Sequence, residues 1–259
     1  GYPCVRLTDQ TADGYFHTML QDTECDIAIN VDEDCFLTNP DAVFELVDYA
    51  IENSIANVGC PDGGGWVPRG GNPLVTNPFF NILNLNLLRE QYSRQAVQSF
   101  DYKAHQQQME ADYPKEMLYE GRNYNFGNTD YEPYYPFFLW QAFHTHTLYL
   151  PSKQHADGWT TILYTPQGKE ICRHTWLARF YSVPTFIVKH WQPNTGKQKA
   201  RIDTIIDESY ALTHKPRPVF TTQDEAAFAW NFFVRWLIKI PQRIAGWPKK
   251  LKHKIIKRI

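Results

Sequence analysis

Nothing limits the fold of this chain as sharply as the run Asp26-Ile27-Ala28-Ile29-Asn30-Val31, an apolar, β-prone stretch that ends abruptly in Asp32-Glu33-Asp34. Its β-branched residues ask for a strand. The acids require that strand to end at a surface, because carboxylates stay in water or on a cation. Shortly after them, Thr38-Asn39-Pro40-Asp41 carries the marks of a helix start: a capping side chain, Pro in the first turn and an acid that suits the helix dipole. Val43, Leu46, Val47 and Ala50 then supply one apolar face, and Ile55 to Val58 reads as another strand.

Cys4-Val5-Arg6-Leu7 reads as a short strand and Asp13 to Leu20 as a helix, so strands and helices alternate along the first 60 residues. That order predicts an α/β fold with a mixed, mainly parallel sheet flanked by helices. A nucleotide-binding domain of this kind has a first strand and helix before Cys4, and they are expected upstream of Gly1. Gly63-Gly64-Gly65 and Gly70-Gly71 punctuate a loop running to about Thr76, either a flap over a ligand or a plain surface excursion. A length of 259 residues suits one large domain, read here as residues 1–222, with 223–259 as an extension.

The extension has its own character. Ala226, Trp230, Phe233, Leu237, Ile240, Ile244, Trp247, Leu251, Ile255 and Ile259 recur at steps of three or four, the spacing of one helical face. Pro241 and Pro248 break the run into shorter helices. From Arg235 onward there are nine Lys or Arg and no acid, against 17 basic and 28 acidic residues before it. An acidic body with a basic tail is not a nucleic-acid-binding pattern. A basic helical tail with Trp and Phe on its apolar side fits an anionic membrane surface; packing on the body followed by a solvated end is the other reading. No apolar run is long enough to span a bilayer, and no signal peptide is evident. Five scattered cysteines without a CxxC pair fit a reducing cytoplasm, so the expected location is cytoplasmic, at the inner face of the membrane. Aromatic residues make up 15% of the chain, which fits either sugar-facing surfaces or a Tyr-rich core.

The acidic triplet carries the chemistry. Alternate side chains of an extended segment share a face, so Asp32 and Asp34 converge while Glu33 turns away. Two convergent carboxylates repel unless a cation such as Mn²⁺ or Mg²⁺ lies between them. Ligands of open α/β sheets bind beyond the carboxyl ends of strands, where Val31 hands over to Asp32. There a metal could neutralise the charge on a departing nucleoside diphosphate.

The segment Ile29 to Leu37, followed by Asn39-Pro40 and a helix, resembles the DxD segment of GT-A glycosyltransferases, and the similarity of order extends over roughly Val5 to Arg179. The resemblance implies a GT-A (Rossmann-like) fold and transfer of a sugar from a nucleotide-diphosphate sugar to an acceptor hydroxyl on a lipid-linked or surface glycan. In it Asp32 and Asp34 hold the metal against the donor diphosphate, with Glu33 as a further donor-binding residue. Inverting members often carry the general base at a helix start. In Gly127-Asn128-Thr129-Asp130-Tyr131-Glu132-Pro133, Asp130 or Glu132 could take that role, or cap the helix instead.

Several GT-A families add a His as third metal ligand. In Ile171-Cys172-Arg173-His174-Thr175-Trp176 that would be His174, which could instead be a structural histidine packed near Trp176, with Arg173 or Arg179 available to phosphate oxygens. Asp9 occupies the place of an acid that binds the base or ribose. Tyr124, Trp66 and Trp159 are candidates for stacking on acceptor sugars. Two other readings stay open. A haloacid-dehalogenase-like phosphatase also has DxD after an apolar strand, but wants Thr or Val where Phe36 stands. A non-catalytic carbohydrate-binding module would use the aromatic residues alone.

Overall fold

The computed structural model describes residues 3–7, 14–62, 69–119, 122, 124–178, 181, 198–219, 221–224, 226–227, 230 and 233–234. The chain divides into two compact units, residues 1–176 with 205–215, and residues 177–204 with 216–259. The expected boundary at residue 222 falls inside the second unit.

The first unit is α/β with mixed sheets. It opens with α1 (Gly14–Gln21), then β1 (Ile27–Val31), β2 (Cys35–Leu37), α2 (Pro40–Glu52), β3 (Asn57–Pro61) and β4 (Thr76–Asn84). Three helices follow, α3 (Leu85–Arg89), α4 (Arg94–Ser99) and α5 (Tyr102–Asp112), then a 3₁₀ turn at Lys115–Met117 and α6 (Tyr135–His144). Four short strands come next: β5 (Thr147–Tyr149), β6 (Ser152–Gln154), β7 (Thr161–Tyr164) and β8 (Glu170–His174). The last helix, α7 (Gln198–Leu212), is shared between the units.

Helix α2 forms as its sequence asks. Asn39 Oδ1 accepts from the Ala42 N–H at 3.1 Å, Pro40 stands at the first position, and Ala42, Val43, Leu46 and Ala50 are buried. The helix carries the chain from β1 and β2 over to β3, which runs in the same direction as β1. Between β1 and β3 lies β4, antiparallel to both, while β3 pairs with β5 in parallel, so the order is β1-β4-β3-β5. The expected mainly parallel sheet therefore holds for strand direction but not for pairing, where only the β3–β5 ladder is parallel. The second sheet, β2-β8-β7-β6, is antiparallel throughout. Cys4 to Leu7, expected as a strand, has no regular structure and is exposed.

Side-chain alternation on β3 and β4 feeds two cores. Val58, Cys60, Phe80 and Ile82 meet α2 and residues of β7 and β8, notably Leu163, Ile171 and Cys172. On the other face Leu83 joins Phe16, Leu85, Tyr135, Phe138, Leu139, Trp140 and Tyr149. A buried polar seam runs beside this second core: Asn57 Nδ2 donates to Thr76 Oγ1 at 2.9 Å and Gln141 Oε1 at 2.7 Å, and Asn81 Nδ2 to Thr76 Oγ1 at 3.0 Å. Many of the chain's Tyr and Phe rings are spent in this second core, so core packing accounts for part of the aromatic composition.

The β3–β4 ladder shifts register between Gly59 and Pro61, opposite the stretch of β4 that contains Pro78. With its N–H missing, Pro78 would break a regular ladder, and the shift accommodates it. At one edge of this sheet lie the carboxyl ends of β1 and β3 and the start of β4, so Asp32 and Asp62 both emerge there.

In the second unit Asp203 gathers three partners: Tyr181 Oη donates at 2.7 Å, Lys199 Nζ at 3.1 Å and Arg217 Nη2 at 2.5 Å. Burial works against its charge, but these hydrogen bonds outweigh it and lower the Asp203 pKa. Of the basic extension, Trp230 and Phe233 are exposed with ring centroids 6.0 Å apart, and residues 235–259, which carry the rest of the expected membrane-binding face, lie outside the described residues. No described helix is long and apolar enough to cross a membrane. All five cysteines are free thiols, with Cys35, Cys60 and Cys172 buried.

A methyl group at Gly59 would stand 2.5 Å from Asn81 Nδ2 and 3.0 Å from Thr76 Cβ, both on the adjacent strand. Gly59→Ala should therefore cost about 1–3 kcal/mol of stability through overpacking, read as a lower urea midpoint. An unchanged midpoint would show that β3 and β4 are not apposed at this register.

Candidate metal centre

Asp32 follows the last residue of β1, and its N–H still donates to the Phe79 carbonyl at 3.0 Å. The chain then turns tightly, with Cys35 N–H bonded to the Asp32 carbonyl at 3.1 Å, and enters β2. Strand β2 pairs with β8 so that Cys35 stands opposite His174. The Asp34 carbonyl accepts from Thr175 N–H at 3.0 Å, which fixes the turn against the end of β8. Local turn and long-range pairing together deliver three side chains to one point.

The ligating atoms of Asp32, Asp34 and His174 lie within 4.8 Å of one another. His174 Nε2 is 3.0 Å from Asp34 Oδ1, and both side chains are largely buried. The imidazole is stacked on Phe79 (centroids 4.4 Å, planes 12° apart) and leans on Trp176 at 4.3 Å. Its Nδ1 has no hydrogen-bond partner. Ring packing therefore orients His174 from behind, where a metal-bound imidazole more commonly donates to a polar acceptor.

Protein packed around the Asp32 carboxyl raises its pKa, and the Asp34 and Glu33 carboxylates push the same way, while His174 pulls it back. The outer surface of Asp32 still meets solvent. Tyr15 is held protonated first by burial and then by the charge of Asp32. The centre sets two carboxylates beside one imidazole, with no Lys or Arg among its three members. Two carboxylate oxygens and one imidazole nitrogen form a donor set that suits Mn²⁺, and Mg²⁺ less well.

Not every expected residue arrives here. Glu33 is exposed and stands outside the group of three; it sits in the tight turn between β1 and β2, so the expected alternation of an extended segment does not apply there. Arg173, expected at phosphate oxygens, is on the opposite face of β8 from His174. Its Nε donates to Glu170 at 2.8 Å, its Nη1 is bonded to Glu208, and these acids raise its pKa against the effect of burial. Its charge is met by these two acids. Asp9, Arg179 and Trp66 lie outside the described residues. Tyr124 is half-buried with its hydroxyl 3.4 Å from the Met117 carbonyl, and Trp159 is half-buried in the β6–β7 turn.

Asp130 and Glu132 precede α6 instead of opening it: the helix begins at Tyr135 and has no side-chain cap. Asp130 is exposed. Glu132 belongs to a second cluster that the sequence did not reveal, centred on fully buried Asp62 after β3. Asp62 accepts from Arg69 Nε at 3.0 Å, Asn77 Nδ2 at 2.6 Å and Tyr135 Oη at 2.5 Å. Arg69 Nη2 reaches Glu132 Oε1 at 3.2 Å and Tyr134 Oη at 2.7 Å. Burial opposes the Arg69 charge, but Asp62 foremost and Glu132 behind it raise the pKa well above its usual value. The guanidinium lies 5.0 Å from the Tyr131 ring centroid and 5.3 Å from that of Trp176. Trp176 thus links this cluster to His174. The signal for Asp62 was in the sequence, since Val58-Gly59-Cys60-Pro61-Asp62 repeats the pattern of strand then acid; Arg69, set among glycines, gave none.

Comparison with protein-family models, curated proteins and solved structures found no match to the chain.

Because the folded state raises the Asp32 pKa, this carboxyl costs stability once it ionises, and stability falls as pH rises through the folded pKa. Asp32→Asn should accordingly raise the melting temperature of metal-free protein at neutral pH. The gain should vanish at pH values below the ordinary carboxylate range, where wild-type Asp32 is also protonated. A gain that persists in acid would mean that charge is not its cause.

Proposed function

We propose that the chain is a metal-dependent glycosyltransferase of the GT-A type, taking a nucleotide-diphosphate sugar as donor. The observation that carries this reading is the convergence of Asp32, Asp34 and His174 within 4.8 Å where β1 leaves the sheet. Supporting it are the position beyond a strand's carboxyl end, where open α/β sheets take their ligands, and the two convergent carboxylates, whose negative charge a divalent cation would offset.

A Mn²⁺ or Mg²⁺ ion held by Asp32, Asp34 and His174 would supply Lewis-acid assistance to departure of the nucleoside diphosphate. The protein's own part is to hold the two carboxylates together at that point, to keep the His174 ring fixed between Phe79 and Trp176, and to accept a proton from the acceptor hydroxyl. Asp130, exposed, or Glu132, with its Oε2 left over from Arg69, takes that proton. A single displacement of this kind inverts the anomeric centre. The acceptor is a glycan, free or lipid-linked, and the basic extension at 226–259 supports an anionic membrane surface as partner on the cytoplasmic side.

Thermal melting tests the reading. A nucleoside diphosphate at about a hundred times its Kd should stabilise the protein by about 2.7 kcal/mol, on the order of 5–10 °C in melting temperature. It should do so only with Mn²⁺ or Mg²⁺ present, and not in Asp34→Asn. Stabilisation that ignores the metal, or none with any nucleotide, would remove the transferase from consideration. For the base, Asp130→Asn and Glu132→Gln are compared in turnover with the cognate donor. One of them should fall by about 100-fold or more, and if neither does, proton removal is not their role.

A further inference from the structure

We infer that Tyr131, with Glu132 and Arg69 beside it, forms a binding subsite for an uncharged sugar ring, so that the acceptor of the proposed transferase is a neutral saccharide at the residue that docks here. The inference rests on that reading for the word acceptor, but the subsite itself stands on separate observations. Tyr131 is 48% exposed, although its neighbours Tyr134 and Tyr135 are buried. The Arg69 guanidinium lies over its ring, 5.0 Å from the centroid. An aromatic ring backed by protein on one side and open on the other can receive the C–H face of a sugar.

Hydrogen-bonding groups lie around that ring. Arg69 spends Nε and Nη2 on Asp62, Glu132 and Tyr134, and Nη1 makes no hydrogen bond among the described residues. Glu132 uses Oε1 on Arg69 and keeps Oε2, with its side chain 35% exposed. The free carboxylate oxygen of Glu132, next in the chain to an exposed ring that Arg69 backs, can accept from a pyranose hydroxyl. The guanidinium is also the contact that leads from Tyr131 to Trp176 at 5.3 Å, and Trp176 abuts His174 at 4.3 Å. A sugar on Tyr131 is thus separated from the candidate metal ligands by one guanidinium and one indole.

Charge selects the ligand class. Asp62 and Glu132 both engage a single cation, Arg69, and exposed Asp130 is the chain neighbour of Tyr131. Three acids against one base would repel a phosphate or carboxylate on the ligand where they would not repel a hydroxyl.

Saturation-transfer NMR on the full chain, without metal or nucleotide, tests the subsite independently of transfer activity. The probes are maltose, cellobiose, lactose, chitobiose and mannobiose, each beside a 6-phosphorylated counterpart. At least one neutral disaccharide should bind wild-type protein, more tightly than its phosphate ester. Tyr131→Phe should keep that binding, and Tyr131→Ala should raise Kd about tenfold or more while leaving the metal-dependent melting shift intact. The subsite is overturned if no disaccharide binds wild type, if Tyr131→Ala binds as well as wild type, or if the phosphate ester binds more tightly. Loss of the metal-dependent shift in wild type, with disaccharide binding intact, would overturn the transferase and leave the sugar subsite standing.

Discussion

Two carboxylates that the backbone holds together against their own repulsion are the constraint from which the rest of this structure can be understood. Asp32 and Asp34 cannot separate, because each is anchored on a different sheet. The Asp32 N–H belongs to the β1–β4 ladder through Phe79, and the Asp34 carbonyl is fixed by Thr175 at the end of β8. The turn between them is where the two sheets of the first unit are tied. Relieving the repulsion by moving either acid would cost ladder hydrogen bonds, so the charge stays where the fold puts it. Burial foremost, and the charge of Asp34 behind it, raise the Asp32 pKa.

The same sheet edge solves the same problem differently a short way along. Asp62 also follows a buried strand, yet it is neutralised internally: a guanidinium, an amide and two tyrosine hydroxyls meet its two oxygens. A buried carboxylate without such partners would be prohibitive, and one with them is rigid. The Asp62 cluster therefore acts as a fixed wall, whereas Asp32, at the end of β1, keeps a face in solvent. Two acids built on equivalent strand ends thus differ in what surrounds them.

Much of this was legible because local rules sufficed. Asn39-Pro40-Asp41 started α2 where its caps required, and the acids after Val31 marked the end of β1. His174 was found through a resemblance, and only the β2–β8 register explains why it meets Asp34. What escaped the sequence reading depended on distant partners. Thr76 to Asn84 carries three Asn and a Pro, the wrong composition for a central strand, and becomes one because β1 and β3 flank it and a register shift makes room for Pro78. That insertion turned an expected parallel pair into two antiparallel ladders. Cys4 to Leu7 has β-prone residues but no strand beside it, and propensity alone does not make a strand. Arg173 looked like a phosphate ligand until its side of β8 was known; one residue of alternation places it among Glu170 and Glu208 instead.

Aromatic residues show the same division between framework and surface. Phe137, Phe138 and Trp140 on α6 face the core, where Phe16 stacks on Phe137 at 5.0 Å, and their burial holds the helix that follows the Asp130–Glu132 segment. Phe79 and Trp176 lie at the boundary, shaping the histidine from behind without reaching solvent. Tyr131 alone in its neighbourhood turns outward, with its inner face against Arg69. A ring left half exposed beside two buried ones of the same kind gains less from the hydrophobic effect than they do. Its packing is set by the guanidinium beneath it, and that guanidinium is in turn set by Asp62. The orientation of the outermost aromatic ring is thus determined by a carboxylate at the end of β3, in the way that the orientation of His174 is determined by the pairing of β2 with β8.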